Sequence, residues 1–287
     1  MISLISVIPL ANAQISIGKE ANQELVEVKI FPDGEVNVKH IVKASDLPVD
    51  LELIEGTIQN IVVTNENQEE VLFSINDKNV VLIQPSKEKT IVEYELKNVL
   101  NEENNVFKWD FLYLQSTSFI LPEGLEIIFV NERPVYLGDM KGINCHGCDM
   151  LLEYSINELK INQNVKWEDE EFLVKMTSNS NIENFVFDQP SKSITFNVSE
   201  ENRFVNTIIP LELLWGPYSV FLDDEKAFFQ EYFNNGTHVW VTMVPKTSGE
   251  VTIIGTTVVP EFSMMIPLIV GFFVILTLPF MKKFNLR

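Results

Sequence analysis

The chain has 287 residues, 46% hydrophobic and 22% charged, with 41 acidic and 21 basic side chains, three histidines and a formal net charge of −20. That hydrophobicity excludes a wholly disordered acidic chain, because disorder requires low hydrophobicity as well as charge. The acidic excess argues against nucleic acid as a partner, and two cysteines cannot staple this length, so the cores come from apolar burial across about two domains.

In chain order, the first feature is the apolar stretch Ile2 to Leu10, followed by Ala11-Asn12-Ala13 ahead of Gln14. An apolar run ending in a small-residue A-x-A site reads as a secretory signal peptide, residues 1–13, cut after Ala13. The usual positive n-region is absent, and a buried first strand is the competing reading.

From residue 24 onward the chain reads as strands. Glu24 to Ile30 and Glu35 to Val42 alternate polar and apolar residues around Pro32-Asp33-Gly34, which is a hairpin signal. Further strands are expected near 58–63, 70–75, 79–84, 90–97, 105–112, 116–121 and 125–131, separated by Asn-, Asp-, Pro- and Gly-rich turns. Short strands at this spacing suggest a sandwich or barrel, and no run sustains a 3.6-residue period. Phe107, Trp109, Phe111 and Tyr113 form an aromatic run that suits a sheet's core face or, alternatively, a carbohydrate platform.

Cys145-His146-Gly147-Cys148 is the cluster with the most chemistry. In an exported protein it suits a local disulfide pinning the loop Gly142-Ile143-Asn144 before a strand at 149–156. A redox-exchange site would need a helix N-terminus to lower the thiol pKa, and none is expected there. Cys145, Cys148 and His146 also suit a soft metal, but a closed site needs a fourth donor, with only His40 and His238 left as imidazoles. The three isolated histidines do not compose a Ser-His-Asp triad, and no glycine-rich phosphate loop occurs.

The polar stretch 156–166 reads as the connection between the halves. Strands then follow near 170–177, 183–188, 192–198, 205–211, 218–222, 237–244 and 250–258. The segment 223–235 suits either a capped helix ending at Gly236 or a hairpin turning at Asn235-Gly236, and the hairpin is favoured. Asp223-Asp224-Glu225 suits a solvated turn or a Ca²⁺ loop. Asn197-Val198-Ser199 and Asn235-Gly236-Thr237 are glycosylation sequons.

Ser263 to Phe280 is an uncharged 18-residue run, with Glu261 before it and Lys282, Lys283 and Arg287 after it. This predicts a transmembrane helix over 264–281 with a cytoplasmic basic tip, 282–287, in type I topology at the cell membrane. A buried core helix is the alternative. All acidic residues lie at or before Glu261, so the region outside the membrane is the acidic part.

Immediately before the run stands Val259-Pro260-Glu261-Phe262-Ser263. Pro260-Glu261-Phe262, an apolar helix and a basic cluster, in that order, resemble the archaeal PEF-CTERM or PEFG-CTERM sorting signal. Ser263 stands where the glycine-containing variant has glycine. The resemblance implies an archaeal surface protein whose tail is removed by an archaeosortase-type enzyme; an uncut juxtamembrane linker is the other reading. The stretch from about Trp167 to Phe262 also resembles a β-rich domain carried by such proteins. It does so through Asn184 to Asp188, Ile209 to Leu214, Gly216-Pro217-Tyr218, Asn235 to Trp240 and Ile254 to Thr257. That implies a surface location and no catalytic residues.

The sequence therefore predicts an all-β protein of two sandwich-like domains, residues 14–156 and 157–258, then the sorting motif 259–263 and a single C-terminal transmembrane helix. The expected role is non-enzymatic, structural or adhesive, with no cofactor and with envelope proteins or glycans as partners. The alternative is a surface binder of a metal ion or small ligand at the Cys145–Cys148 loop.

Overall fold

The computed structural model describes residues 18–256 apart from 78, 104 and 168. Every regular element among them is a β-strand, and none is a helix able to cross a membrane. The run 263–280, the sorting motif and the signal segment lie outside the described residues. The chain divides into two compact units, one ending at Ile156 and the next beginning at Asn157.

The first unit holds three sheets, one more than a two-layer sandwich. The six-stranded sheet has the spatial order Gly142–Cys145, Thr117–Ile120, Gln23–Ile30, Val36–Val42, Thr90–Lys97 and Thr57–Asn65. The five-stranded sheet runs Arg133–Tyr136, Ile127–Val130, Cys148–Ser155, Val106–Tyr113 and Asn101–Glu103. The four-stranded sheet runs Lys19–Glu20, Val49–Glu52, Val80–Ile83 and Phe73–Asp77. Thr117–Ile120 pairs parallel with Gln23–Ile30, and Lys19–Glu20 pairs parallel with Val49–Glu52.

Period-2 alternation decides what each strand buries. Val36, Val38, His40 and Val42 point inward, while Asn37 and Lys39 between them do not. Opposite, Phe107, Trp109, Phe111 and Tyr113 are all buried, whereas Lys108, Asp110 and Leu112 are exposed. The aromatic run is therefore core, and the carbohydrate-platform reading is set aside. Trp109, Phe111 and Phe119 meet edge to face, with Phe111 and Phe119 centroids 4.8 Å apart. Each such side chain contributes roughly 1.5–3 kcal/mol on burial.

The hairpin at Pro32-Asp33-Gly34 forms as expected. Ile30 pairs with Val36, Phe31 N–H donates to Glu35 C=O, and Gly34 adopts the positive φ of 80° that the turn needs.

The second unit is built from two five-stranded antiparallel sheets around one core. One runs Leu159–Trp167, Glu170–Ser178, Val205–Pro210, His238–Met243 and Gln230–Asn234. The other runs Ile182–Asp188, Ser193–Val198, Gly249–Ile254, Ser219–Leu222 and Glu225–Lys226. Val174, Ile194, Phe196, Ile209, Leu213, Leu214, Val220 and Val251 lie at its centre.

One expectation is corrected here. The stretch 156–166 is not merely a connection: Leu159–Trp167 is a nine-residue strand paired throughout with Glu170–Ser178. Val165 faces the core with Ile161 and Trp167 packed beside it, while Lys160, Asn162, Asn164 and Lys166 stay exposed. It is an edge strand, where one polar face and lysines keep other chains from pairing.

Candidate functional site

Cys145 and Cys148 stand at disulfide distance, with Cα atoms 5.7 Å apart, and are bonded to each other. Gly142–Cys145 is a strand rather than the loop expected there, and it edges the six-stranded sheet. Cys148 begins a strand of the five-stranded sheet. The bridge therefore spans the two-residue step, His146-Gly147, between two sheets. Gly147 provides the turn, with φ of 61°. Cys148 is buried and Cys145 half-buried. His146 projects into solvent, its Nδ1 2.7 Å from Ser116 Oγ. Sulfurs bonded to each other offer no thiolate to a metal, so the metal reading applies to the reduced loop alone.

His40 has a different environment. It is fully buried and joins a chain of five hydrogen bonds. Ile54 N–H donates to Tyr94 OH (2.9 Å), and Tyr94 O–H donates to His40 Nε2 (3.0 Å). His40 Nδ1–H donates to Gln23 Oε1 (2.7 Å), Gln23 Nε2–H to Tyr113 OH (3.0 Å), and Tyr113 O–H to Glu52 C=O (2.7 Å). Every donor finds an acceptor only if His40 is neutral with its proton on Nδ1. Gln23, His40 and Tyr94 belong to the six-stranded sheet, Tyr113 to the five-stranded sheet and Glu52 to the four-stranded sheet, so the chain of bonds ties all three. Burial pulls the His40 pKa down to about 3 and pushes Tyr113 up to about 12 and Tyr94 higher still. The sequence marked His40 as a strand residue; its partners, 17 to 90 positions away from one another, carry no sequence signal.

His238 is half-exposed, its Nδ1 3.0 Å from Thr237 Oγ1, and burial lowers its pKa with help from Lys175. The three histidines thus belong to separate settings.

Asp223 and Asp224 have φ of 48° and 65° and make a tight turn between Leu222 and Glu225. Asp223 Oδ1 accepts the Glu250 N–H (2.8 Å), so this carboxylate already serves the turn. The segment 223–235 is strand and turn, not helix, and Gln230–Asn234 pairs with His238–Met243 through the Asn235-Gly236 turn. Asn235 is exposed at that tip, its Oδ1 accepting Thr237 N–H (3.0 Å) and His238 N–H (2.8 Å). Asn197 lies half-buried within a strand paired on both sides. Asn235 is therefore the accessible acceptor of the two. Ala13, Pro260, Glu261 and Phe262 lie outside the described residues.

An open groove of about 370 Å³, not legible in the sequence, crosses the outer face of the six-stranded sheet. A bulge between Gln59 and Val62 turns Asn60 to a φ of 54°, and its Nδ2–H donates to Glu95 Oε1 (2.9 Å) beside it. That bond, and Lys97 next, hold the Glu95 carboxyl below its usual range. Lys39 pairs across with Glu93 at 3.4 Å. The groove is a polar surface, and Lys29 lies over the Phe31 ring at its side, 4.7 Å from the centroid.

No protein-family model matches this chain, and no curated protein matches it. Among solved structures it is similar to an aminopeptidase N family protein from Idiomarina loihiensis, at 9% identity and a TM-score of 0.35, over 52% of this chain and 32% of that one. The matched region spans about a third of that protein, and a likeness at this level assigns neither family nor activity.

Proposed function

We propose that this is an exported, membrane-anchored protein of the cell surface, of type I topology, with a non-enzymatic structural or adhesive role. The observation that carries the reading is the uncharged run Ser263–Phe280, closed by Lys282, Lys283 and Arg287 and preceded by an acidic, strand-built region. The Cys145–Cys148 bridge supports export, since disulfides persist in oxidising compartments. The acidic excess supports a soluble surface that repels its neighbours.

On this reading residues 1–13 are removed after Ala13, and two β domains, 14–156 and 157–258, stand outside the membrane. Residues 264–281 span it. Pro260-Glu261-Phe262 directs an archaeosortase-type enzyme to remove the span, and other envelope proteins or glycans meet the exposed sheets and loops.

Intact-mass analysis of the protein taken from its own membranes tests this. The expected polypeptide begins at Gln14, ends near Phe262 and lacks two hydrogens for the cystine. Replacing Pro260-Glu261-Phe262 by alanines is expected to leave the uncut chain in the membrane. A membrane-bound mass ending at Arg287 would remove the processing step and keep the anchor. A soluble chain running from Met1 to Arg287 would overturn the reading.

A further inference from the structure

The second unit ends its last described strand at Ile254 and continues through Gly255 and Thr256. These residues are clamped to the unit. Gly255 N–H donates to Lys192 C=O (2.9 Å), Thr256 N–H to Trp215 C=O (2.9 Å), and Thr256 Oγ1–H to Gly216 C=O (2.6 Å). Lys192 Nζ donates in turn to the Thr256 C=O at 3.0 Å. The last described residues thus lie pressed against the loop Trp215-Gly216-Pro217.

That loop differs from an ordinary connection. Leu213 and Leu214 anchor it in the core, and Tyr218 is buried with its hydroxyl donating to Leu214 C=O at 2.6 Å. Between these anchors Trp215 is 55% exposed, and Pro217 is exposed beside it. Loop tips ordinarily carry polar residues at such positions; here a rigidly held tip shows water an indole and a pyrrolidine. The other three tryptophans, Trp109, Trp167 and Trp240, are buried or half-buried.

Six residues, 257–262, separate Thr256 from Ser263, where the uncharged run begins. Fully extended, that connection reaches about 25 Å. Where the run spans a bilayer, the Trp215 tip is therefore tethered within that distance of the membrane surface. Indole is the ring most suited to that zone, apolar in its body with one N–H for the wet side.

We propose that the Trp215-Gly216-Pro217 loop is the membrane-contacting tip of the second unit, its partner being the lipid interface. The inference rests on the membrane-anchored reading above and concerns the chain while its span is in place, before any removal of the tail. Trp215 inserts at headgroup level, and the Lys192 ammonium lies on the same side. Exposed Glu212 opposes attraction to anionic lipid, so burial of the indole carries the contact. Held this way, the unit does not swing freely on its tether, and Thr256 enters the connection at a set height.

The test uses the full chain and its Trp215→Phe variant, reconstituted in phosphatidylcholine vesicles with or without bromine on the acyl chains near the headgroups. The difference between the two emission spectra is the signal of Trp215. It is expected to fall by about half or more in brominated vesicles and to resist aqueous iodide, as an interfacial indole does. A difference signal unchanged by bromine and open to iodide overturns the proposal. One unchanged by bromine yet protected from iodide also overturns it, and shows the ring covered by protein instead of lipid. Flotation of the same vesicles after an alkaline wash separates the failures. A chain that washes off loses the anchor reading itself; a chain that floats with Trp215 unquenched loses only the contact. The exposed ring makes Trp215→Phe compatible with folding, which an unchanged near-ultraviolet spectrum of the remaining tryptophans checks.

Discussion

A neutral imidazole at His40 joins three sheets through hydrogen bonds that a charged imidazole would break. Protonated, it would donate from Nε2 to Tyr94 OH, which already accepts from Ile54 N–H, and a positive charge would sit in the core. The linkage follows. The unfolded chain protonates His40 near pH ~6.5, the folded one only at about 3, so between those values the unfolded state holds more protons. The His40 contribution to stability of the first unit is full above about pH 6.5 and is lost as pH falls toward 3, by on the order of 5 kcal/mol. We expect hydrogen exchange of the Val36–Val42 peptide, corrected for intrinsic rates, to show this decline in the native chain. In His40→Asn it should begin from lower stability at pH 7 and lose most of the acid-dependent slope. An equal slope in both would place the acid sensitivity elsewhere. His40 was legible as a strand residue because its neighbours alternate; its role was not, because Gln23, Tyr94 and Tyr113 reach it only through tertiary packing.

At the level of elements, the strand Gly142–Cys145 depends on two local devices. The cystine ties its end to the neighbouring sheet. Gly142 lies so close to the backbone of Phe119 that an added Cβ would collide with its carbonyl oxygen. A disulfide closing so short a loop contributes about 2 kcal/mol by chain entropy. Replacing both cysteines by serine should therefore cost about that much, read as faster exchange in 142–145 and 117–120. Gly142→Ala, which displaces backbone rather than a flexible side chain, should lose the pairing of these two strands while the second unit is untouched. Unchanged exchange in both variants would mean that the edge is held by its packing alone.

The strand pattern shows why some elements were readable and Leu159–Trp167 was not. Gln23–Ile30, Val36–Val42 and Val106–Tyr113 bury alternate residues, so their period is written in apolar side chains. Leu159–Trp167 buries Val165 and packs only Ile161 and Trp167 nearby, with Gln163 between. Its inward face repeats too sparsely to register as alternation, and its pairing with Glu170–Ser178 supplies what its composition lacks. A positive φ of 87° at Gly236 suits a helix stop as well as a hairpin turn, so it was the pairing of Gln230–Asn234 with His238–Met243 that decided for the hairpin.

For the whole molecule the governing quantity is charge: 41 carboxylates against 21 bases, with the described ion pairs lying on sheet surfaces. Exposed pairs of that kind contribute little each, and the acidic excess repels itself. Raising salt from about 10 mM to about 0.5 M should therefore raise the thermal midpoint, by roughly 2–5 °C, as screening relieves the repulsion. A midpoint that falls with salt would show that the cross-strand pairs outweigh the excess. The sequence by itself determined the strand-built character of the chain, most strand positions, the spacing of the cysteines and the uncharged run near its end. These are properties of consecutive residues, where periodicity, turn chemistry and hydropathy act locally. Only the tertiary structure decided that the first unit has three sheets, that one bridge joins two of them, that His40 is wired to all three, and that Trp215 stands exposed beside the last described residues of the second unit. Each of those depends on residues distant in sequence meeting in space, which no local pattern records.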